Sequence, residues 1–403
     1  MAIQINKTAA PAQPDAPAVA QEASPVQSIA DPAPTPPEVE EEAPKPVKKA
    51  VSGGELKAIL AQIRKEKGDN VVNKGSEIHT VLRIPTGVFE FDLATGGGFP
   101  RGRYSIVYGP ESSGKTNICY AAAAQAQRLP EPCNKVVWVD LEGTFDANWA
   151  AQFGINVDEL LIVRPSYGEE AVDLIDALVR AEDVAMLVVD SLATVVSSKE
   201  IEQSVEKFDV GTASLLVKRL CNKLVIALAT ESKRNHTPAV VLINQTRFKI
   251  GVMFGDPETM PGGQTMKFLS SLTVRLYGKN KIEKSISSEL PAFKDTTAVI
   301  KKAKVGVTKY NFEYELCMLP HNGMIVGETK SWSTVSGYLK DMGTLKKAEK
   351  GSGWTLLGKT FPTLVMIQDQ YESDDDYKMK LQGLVIESFK GKHFTVEAEG
   401  AAK

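Results

Sequence analysis

The segment Gly109-Pro110-Glu111-Ser112-Ser113-Gly114-Lys115-Thr116 has the spacing GxxxxGK[ST], which cradles a polyphosphate when it joins a strand to a helix. Glycine at both ends lets the backbone curl until its N–H groups point inward, and a helix opening at the lysine adds partial positive charge. In this pattern Lys115 is expected to hold the β- and γ-phosphates of ATP, and Thr116 to offer its hydroxyl to Mg²⁺. Two further stretches supply what hydrolysis needs. Val188-Val189-Asp190 ends an apolar run in a carboxylate that can reach Mg²⁺ through water. Val137-Trp138-Val139-Asp140-Leu141-Glu142 ends another in two acids, and an acid near the γ-phosphate can orient and activate the attacking water. The competing reading is that Asp140 and Glu142 cap the next helix or face solvent.

These groups converge only if the intervening chain brings strand ends together. Short apolar runs at Ser105 to Tyr108, Val136 to Asp140, Met186 to Asp190 and Val240 to Asn244 alternate with helical stretches. That alternation predicts a mostly parallel sheet covered on both faces. Functional residues then gather at the carboxyl ends of the strands. The fold class expected is α/β, a P-loop ATPase core with a central sheet flanked by helices.

The rest of the 403 residues frames this core. Residues 1–52 hold ten of the 22 prolines, the acidic run Glu40-Glu41-Glu42 and no aromatic residue. Such a segment buries too little apolar surface to offset its ordering entropy and reads as a disordered tail, or as an arm that recognises a partner. Ser52 and Glu55 have capping-box spacing, and Leu56, Ile59, Leu60 and Ile63 form one helical stripe. That stripe serves either local packing or docking on a neighbouring subunit. The expected organisation is thus a tail (1–52), a helix and strand for subunit docking (53–84), the ATPase core (85–327) and a small C-terminal α/β domain (328–403).

Net charge is −3 and the first 50 residues carry all of it, so a nucleic-acid site has to be local. Four scattered cysteines with no CxxC pair, and four histidines apart from them, predict neither a zinc site nor disulfides. That usage suits a reducing cytoplasm. No apolar run reaches membrane-spanning length, and no leader pattern opens the chain, so neither membrane insertion nor secretion is expected.

The phosphate loop, with Ile243-Asn244-Gln245-Thr246-Arg247-Phe248-Lys249-Ile250-Gly251-Val252-Met253-Phe254-Gly255-Asp256-Pro257-Glu258-Thr259, Gly262-Gly263 and Met266-Lys267-Phe268, resembles the bacterial RecA recombinases and their phage-encoded relatives. The likeness spans roughly residues 55 to 325 and continues more weakly around Gly353-Trp354. It implies a RecA-type core with a short N-terminal oligomerisation helix. The implied activity is DNA-dependent ATP hydrolysis coupled to filament formation on single-stranded DNA, with pairing and strand exchange against double-stranded DNA in recombination and repair. Implied partners are further copies in a helical filament, single-strand-binding proteins and loaders. The setting it implies is the cytoplasm of a bacterium or of a phage-infected bacterium. A hexameric helicase or translocase built on the same core is the alternative, because a fold does not fix a function.

Residue by residue, the resemblance makes Glu142 the catalytic glutamate and Gln245 the γ-phosphate sensor that orders the adjoining loop. Asp146 and Trp149 fall where the family contacts adenine, Trp149 replacing the usual tyrosine. Lys302 and Lys304 resemble paired lysines that a neighbouring subunit inserts toward the phosphates. The second DNA loop offers Arg247, Lys249, Ile250, Gly251, Val252, Met253, Phe254, Gly262 and Gly263. Apolar side chains there can wedge between unstacked bases while glycine-flanked N–H groups hold phosphates; the alternative is a loop folded into the core. The first loop, near Glu200 to Gly211, departs from the family at Val210, where methionine is usual. The helix after it carries Lys218 and Arg219, for phosphate contact or as a solvated face.

Overall fold

The computed structural model describes residues 53–68, 71–72, 81–202, 211–248, 258–349 and 351–389; the tail and Ser52 lie outside these. Among the described residues, those up to Lys67 and those from Gly68 onward fall into two units. The first contributes α1 (Gly53–Lys67), with acidic Glu55 in its first turn and Arg64, Lys65 and Lys67 in its last. Both placements complement the helix dipole.

The second unit begins with β1 (Arg83–Ile84), α2 (Phe89–Thr95), β2 (Phe99–Pro100), β3 (Arg103–Gly109), α3 (Lys115–Gln127), β4 (Lys135–Asp140) and α4 (Ala147–Gln152). It continues through β5 (Leu161–Val163), α5 (Gly168–Val179), β6 (Val184–Asp190), α6 (Ser198–Glu202), α7 (Thr212–Ser232), β7 (Ala239–Gln245), β8 (Arg247–Phe248), β9 (Glu258–Thr259) and α8 (Gly263–Leu269). Three long strands follow: β10 (Leu272–Lys281), β11 (Phe293–Ala303) and β12 (Asn311–Cys317). The chain closes with α9 (Trp332–Asp341), β13 (Leu345–Lys347), β14 (Trp354–Leu356), β15 (Lys359–Phe361), α10 (Leu364–Ser373) and α11 (Asp375–Phe389).

The eight-stranded sheet has the order β12-β11-β10-β3-β7-β6-β4-β5. The strands from β10 to β5 pair in parallel, while β11 and β12 extend the sheet antiparallel. The result is an α/β fold with a mostly parallel central sheet flanked by helices. Successive residues of β4 and β6 face opposite sides, and both sides are dry. Trp138, Met186 and Val188 pack on α3, whereas Val137, Val139, Leu187 and Val189 pack on α5 and α7. A strand buried on both faces has to be apolar at every position, which explains the continuous runs in the sequence. In α3, Ala121 to Ala124 are buried, and their small side chains let the helix lie close on the sheet.

Register positions the site. Gly109 pairs with Gln245 across β3 and β7, and Asp140 pairs with Asp190 across β4 and β6. Four carboxyl ends therefore open onto one edge of the sheet. At the other end of the chain, α9, α10 and α11 enclose Trp332, Leu339, Ile367, Tyr371, Leu381 and Val385, together with Phe89 and Leu93 of α2. The three-stranded sheet β13-β14-β15 belongs to the same cluster through Leu345 and Leu356. No helix among the described residues is long and apolar enough to cross a membrane.

Candidate active site

The phosphate loop leaves β3 and turns into α3 at Gly114, whose φ of 92° lies in the left-handed region that favours glycine. Ser112 also has positive φ, at 55°. The Lys115 ammonium donates to the carbonyls of Pro110 at 2.7 Å and Gly109 at 3.3 Å, so the lysine bridges the start of its own loop. Burial lowers its pKa, and the carboxylates of Asp190, Glu142 and Glu111 oppose that shift. Thr116 donates its hydroxyl to Asp190 at 3.1 Å. Burial, reinforced by the Glu142 charge, pushes the Asp190 carboxyl up to about 6. A hydroxyl beside a carboxylate is a hard-oxygen pair of the kind that suits magnesium, which takes its remaining ligands from phosphate and water.

The two acids at the end of β4 have different fates. Asp140 is 3% exposed; it accepts the N–H groups of Thr144 and Phe145 and pairs with Arg164 at 3.0 Å. It holds the turn before α4 rather than capping that helix, whose N-cap is Asp146, and it does not face solvent. Glu142 instead accepts the Gln245 amide at 3.3 Å on Oε1, and the same oxygen accepts the Ser191 hydroxyl. Glu142, Gln245, Asp190 and Thr116 thus come together beside the phosphate loop.

A cavity of about 320 Å³ opens on the other side of the loop, lined by Ser112 to Asn117, Trp149, Lys294 and Met318 among others. Asp146 caps α4 by accepting the Trp149 N–H at 3.0 Å, and the Trp149 indole donates to Asn117 at 3.4 Å. The indole is therefore fixed at the cavity wall, presenting a large flat face suited to stacking.

A two-stranded stem, with Arg247 opposite Thr259 and Phe248 opposite Glu258, starts two residues beyond Gln245, at the end of β7. Glu258 is ion-paired with half-buried Arg275 of β10, and accepts a long 3.4 Å bond from Thr246. Gly262 caps α8 at φ 95°, and a Cβ there would stand 2.6 Å from Val217 Cγ1, so both conformation and space require glycine. Lys249, Ile250, Gly251, Val252, Met253 and Phe254, and Val210 of the first loop, lie outside the described residues. Lys218 and Arg219 are exposed on α7.

The chain has a phosphate-loop motif between strand and helix, with an acid, Glu142, joined by a hydrogen bond to Gln245 at the end of β7, and comparison with known proteins names the family. A model described as the RecA N-terminal domain matches residues 54–317. The chain belongs to the RecA family. It is 36% identical over 312 residues to Protein RecA of Rhodopirellula baltica, covering 76% of this chain and 77% of that protein. Against Protein RecA of Laribacter hongkongensis the identity is 40% over 234 residues, 57% of this chain and 64% of the relative. Against that of Bdellovibrio bacteriovorus it is 36% over 299 residues, 70% and 76%. As a RecA-family protein the chain is an ATP-dependent DNA recombinase and a DNA-dependent ATPase, and the helicase reading is not favoured.

Lys302 and Lys304 stand apart from the phosphate loop of the same chain. Lys302 is opposite Thr273, on a part of β10 aligned with the middle of β3 rather than with its loop end. Its ammonium donates to the carbonyls of Lys267 at 2.5 Å and Phe268 at 2.6 Å, and Lys304 reaches that of Leu269 at 3.5 Å, so both sit at the carboxyl end of α8. Sequence reasoning missed Ser191, although it follows Asp190 directly. It also missed Lys294, whose bond to Ser112 spans 182 residues and leaves no local pattern.

Proposed function

We propose that ATP binds with its phosphates on the backbone of residues 109–116 and its base against Trp149, and that Glu142 drives hydrolysis. Magnesium, when bound, neutralises charge on the phosphate oxygens, and Thr116 and Asp190 are the groups that hold it, Asp190 through water. Lys115 exchanges its loop carbonyls for the β- and γ-phosphates. Glu142 takes the proton of the attacking water, and the Ser191 hydroxyl keeps the carboxylate oriented.

Gln245 couples this chemistry to DNA. Without a γ-phosphate its amide is held by Glu142; with one, the amide has a competing acceptor that carries more negative charge. The exchange moves the last residue of β7, and the stem of the second loop starts two residues later. Arg247, Lys249 and the glycines of that loop then meet the phosphates of single-stranded DNA, while Ile250, Val252, Met253 and Phe254 enter between bases. Lys218 and Arg219, with Val210 before them, form the second wall of the DNA path. Lys302 and Lys304 complete the next protomer's site, and residues 53–84 dock on a neighbour. The active site is therefore whole only in the helical filament.

The observation that carries this reading is the 3.3 Å bond between Gln245 and Glu142, because one amide joins the hydrolytic carboxylate to the root of the DNA loop. Gln245→Ala tests it. Single-stranded DNA affinity measured with a non-hydrolysable ATP analogue and without nucleotide should differ in the parent chain and converge in the variant. Retention of the full nucleotide effect by the variant contradicts the coupling.

A further inference from the structure

Lys294 lies in β11 and is 5% exposed. Its ammonium donates to the Ser112 carbonyl at 2.9 Å and to Asn280 Oδ1 at 2.7 Å. Both acceptors are neutral, and no carboxylate joins them among the described residues; burial alone holds the pKa of Lys294 below the usual lysine range. An ammonium has three N–H donors, so one remains beyond these two bonds. A buried cation without a counter-charge is costly, and such groups are retained where a ligand supplies the missing charge.

Position identifies that ligand. A Cβ on Gly114 would stand 3.2 Å from the Lys294 Cδ, so the lysine stem packs on the turn that opens α3. Lys115 holds the carbonyls of Gly109 and Pro110, while Lys294 holds that of Ser112, the non-glycine positive-φ residue of the same loop. The phosphate loop is tethered by two lysines from separate elements. Lys294 shares its cavity with Trp149 and with residues 112–117, whereas Glu142, Asp190 and Gln245 do not line that cavity.

We propose that Lys294 is a second nucleotide-binding cation, supplied by the same protomer, that contacts the phosphates nearer the base rather than the γ-phosphate. It binds nucleoside di- and triphosphates alike, and so governs retention of the diphosphate product. The proposal rests on the nucleotide site described above and adds to it a residue that no part of the phosphate-loop motif contains.

The full chain is examined as Lys294→Met, Lys294→Arg and Lys115→Ala, with ADP as the probe, by direct titration and by thermal melts with and without ADP. Lys294→Met should weaken ADP and ATP by the same factor, at least about tenfold for loss of one charged hydrogen-bond donor. Lys294→Arg should recover most of that loss. Without nucleotide the melting temperature of Lys294→Met should stay level or rise, because an uncompensated buried charge has gone, while the ADP-induced increase shrinks. ADP affinity of Lys294→Met within about twofold of the parent, a factor small beside any charged hydrogen bond, overturns the proposal and leaves the nucleotide site standing. A lower nucleotide-free melting temperature with an unchanged ADP increase also overturns it, since that is the behaviour of a structural brace. If the parent chain itself binds no ADP and Lys115→Ala is indistinguishable from it, the nucleotide site fails and Lys294 with it.

Discussion

Glu142→Gln separates chemistry from binding at one atom. Oε1 of Glu142 accepts from both Gln245, at 3.3 Å, and Ser191. An amide oxygen can keep both bonds, so the shape of the site and the grip on Gln245 survive the substitution. An amide cannot take up a proton, and a positioned general base contributes about 10²–10⁴ in rate. DNA-stimulated kcat should therefore fall by about 10²–10⁴, equivalent to roughly 3–5 kcal/mol of barrier. Affinity should move the other way. The Glu142 charge helps push the Asp190 carboxyl up to about 6, so a neutral side chain relieves that repulsion and leaves less negative charge facing the phosphates. ATP should bind as well as in the parent or tighter. Steady-state phosphate release at saturating single-stranded DNA, with nucleotide titration of the same preparation, gives both quantities. A kcat within about threefold of the parent, far short of any general-base effect, refutes the assignment of Glu142 as the base. A loss of affinity as large as the loss of rate makes it a scaffold residue instead.

Lys115→Ala should abolish ATP-dependent filament assembly, seen by electron microscopy on single-stranded DNA; filaments at parental density contradict its role. Phe254→Ala should impair strand exchange more than nucleotide binding, and equal loss in the two assays removes Phe254 from the DNA site. DNA affinity should fall steeply with rising salt, as phosphate contacts release counterions, and a flat salt titration excludes them. Trp138, 1% exposed and 4.7 Å from the Tyr120 ring, anchors the face of the sheet beneath α3. Trp138→Ala should cost about 3–5 kcal/mol in chemical denaturation, and less than about 1 kcal/mol would mean that this face repacks.

The four strands predicted between Ser105 and Asn244 are present because burial on both faces writes itself as a nearly unbroken apolar run. The phosphate loop was equally plain, since a tight glycine turn followed by Lys and Thr has little other use. Register was not readable. Nothing near Gly109 says that it lies opposite Gln245, nor near Asp140 that it lies opposite Asp190. Asp140 and Glu142 looked interchangeable in sequence, yet the first folds back on the N–H groups of Thr144 and Phe145 while the second reaches Gln245. The antiparallel pair β11 and β12 went unanticipated because Lys, Asp and Thr break up the apolar positions of β11, and Glu313 and Glu315 separate those of β12. Lys294, one of many lysines in that stretch, gains meaning only from a contact with Ser112 that no spacing encodes.

Hydrolysis of ATP by the full chain, followed as phosphate release with and without single-stranded DNA, tests the link between nucleotide and polynucleotide most directly. Turnover should be slow alone and rise strongly on DNA, with the rise depending on Gln245. Equal rates with and without DNA, from protein that remains monomeric, would show that the two sites do not communicate.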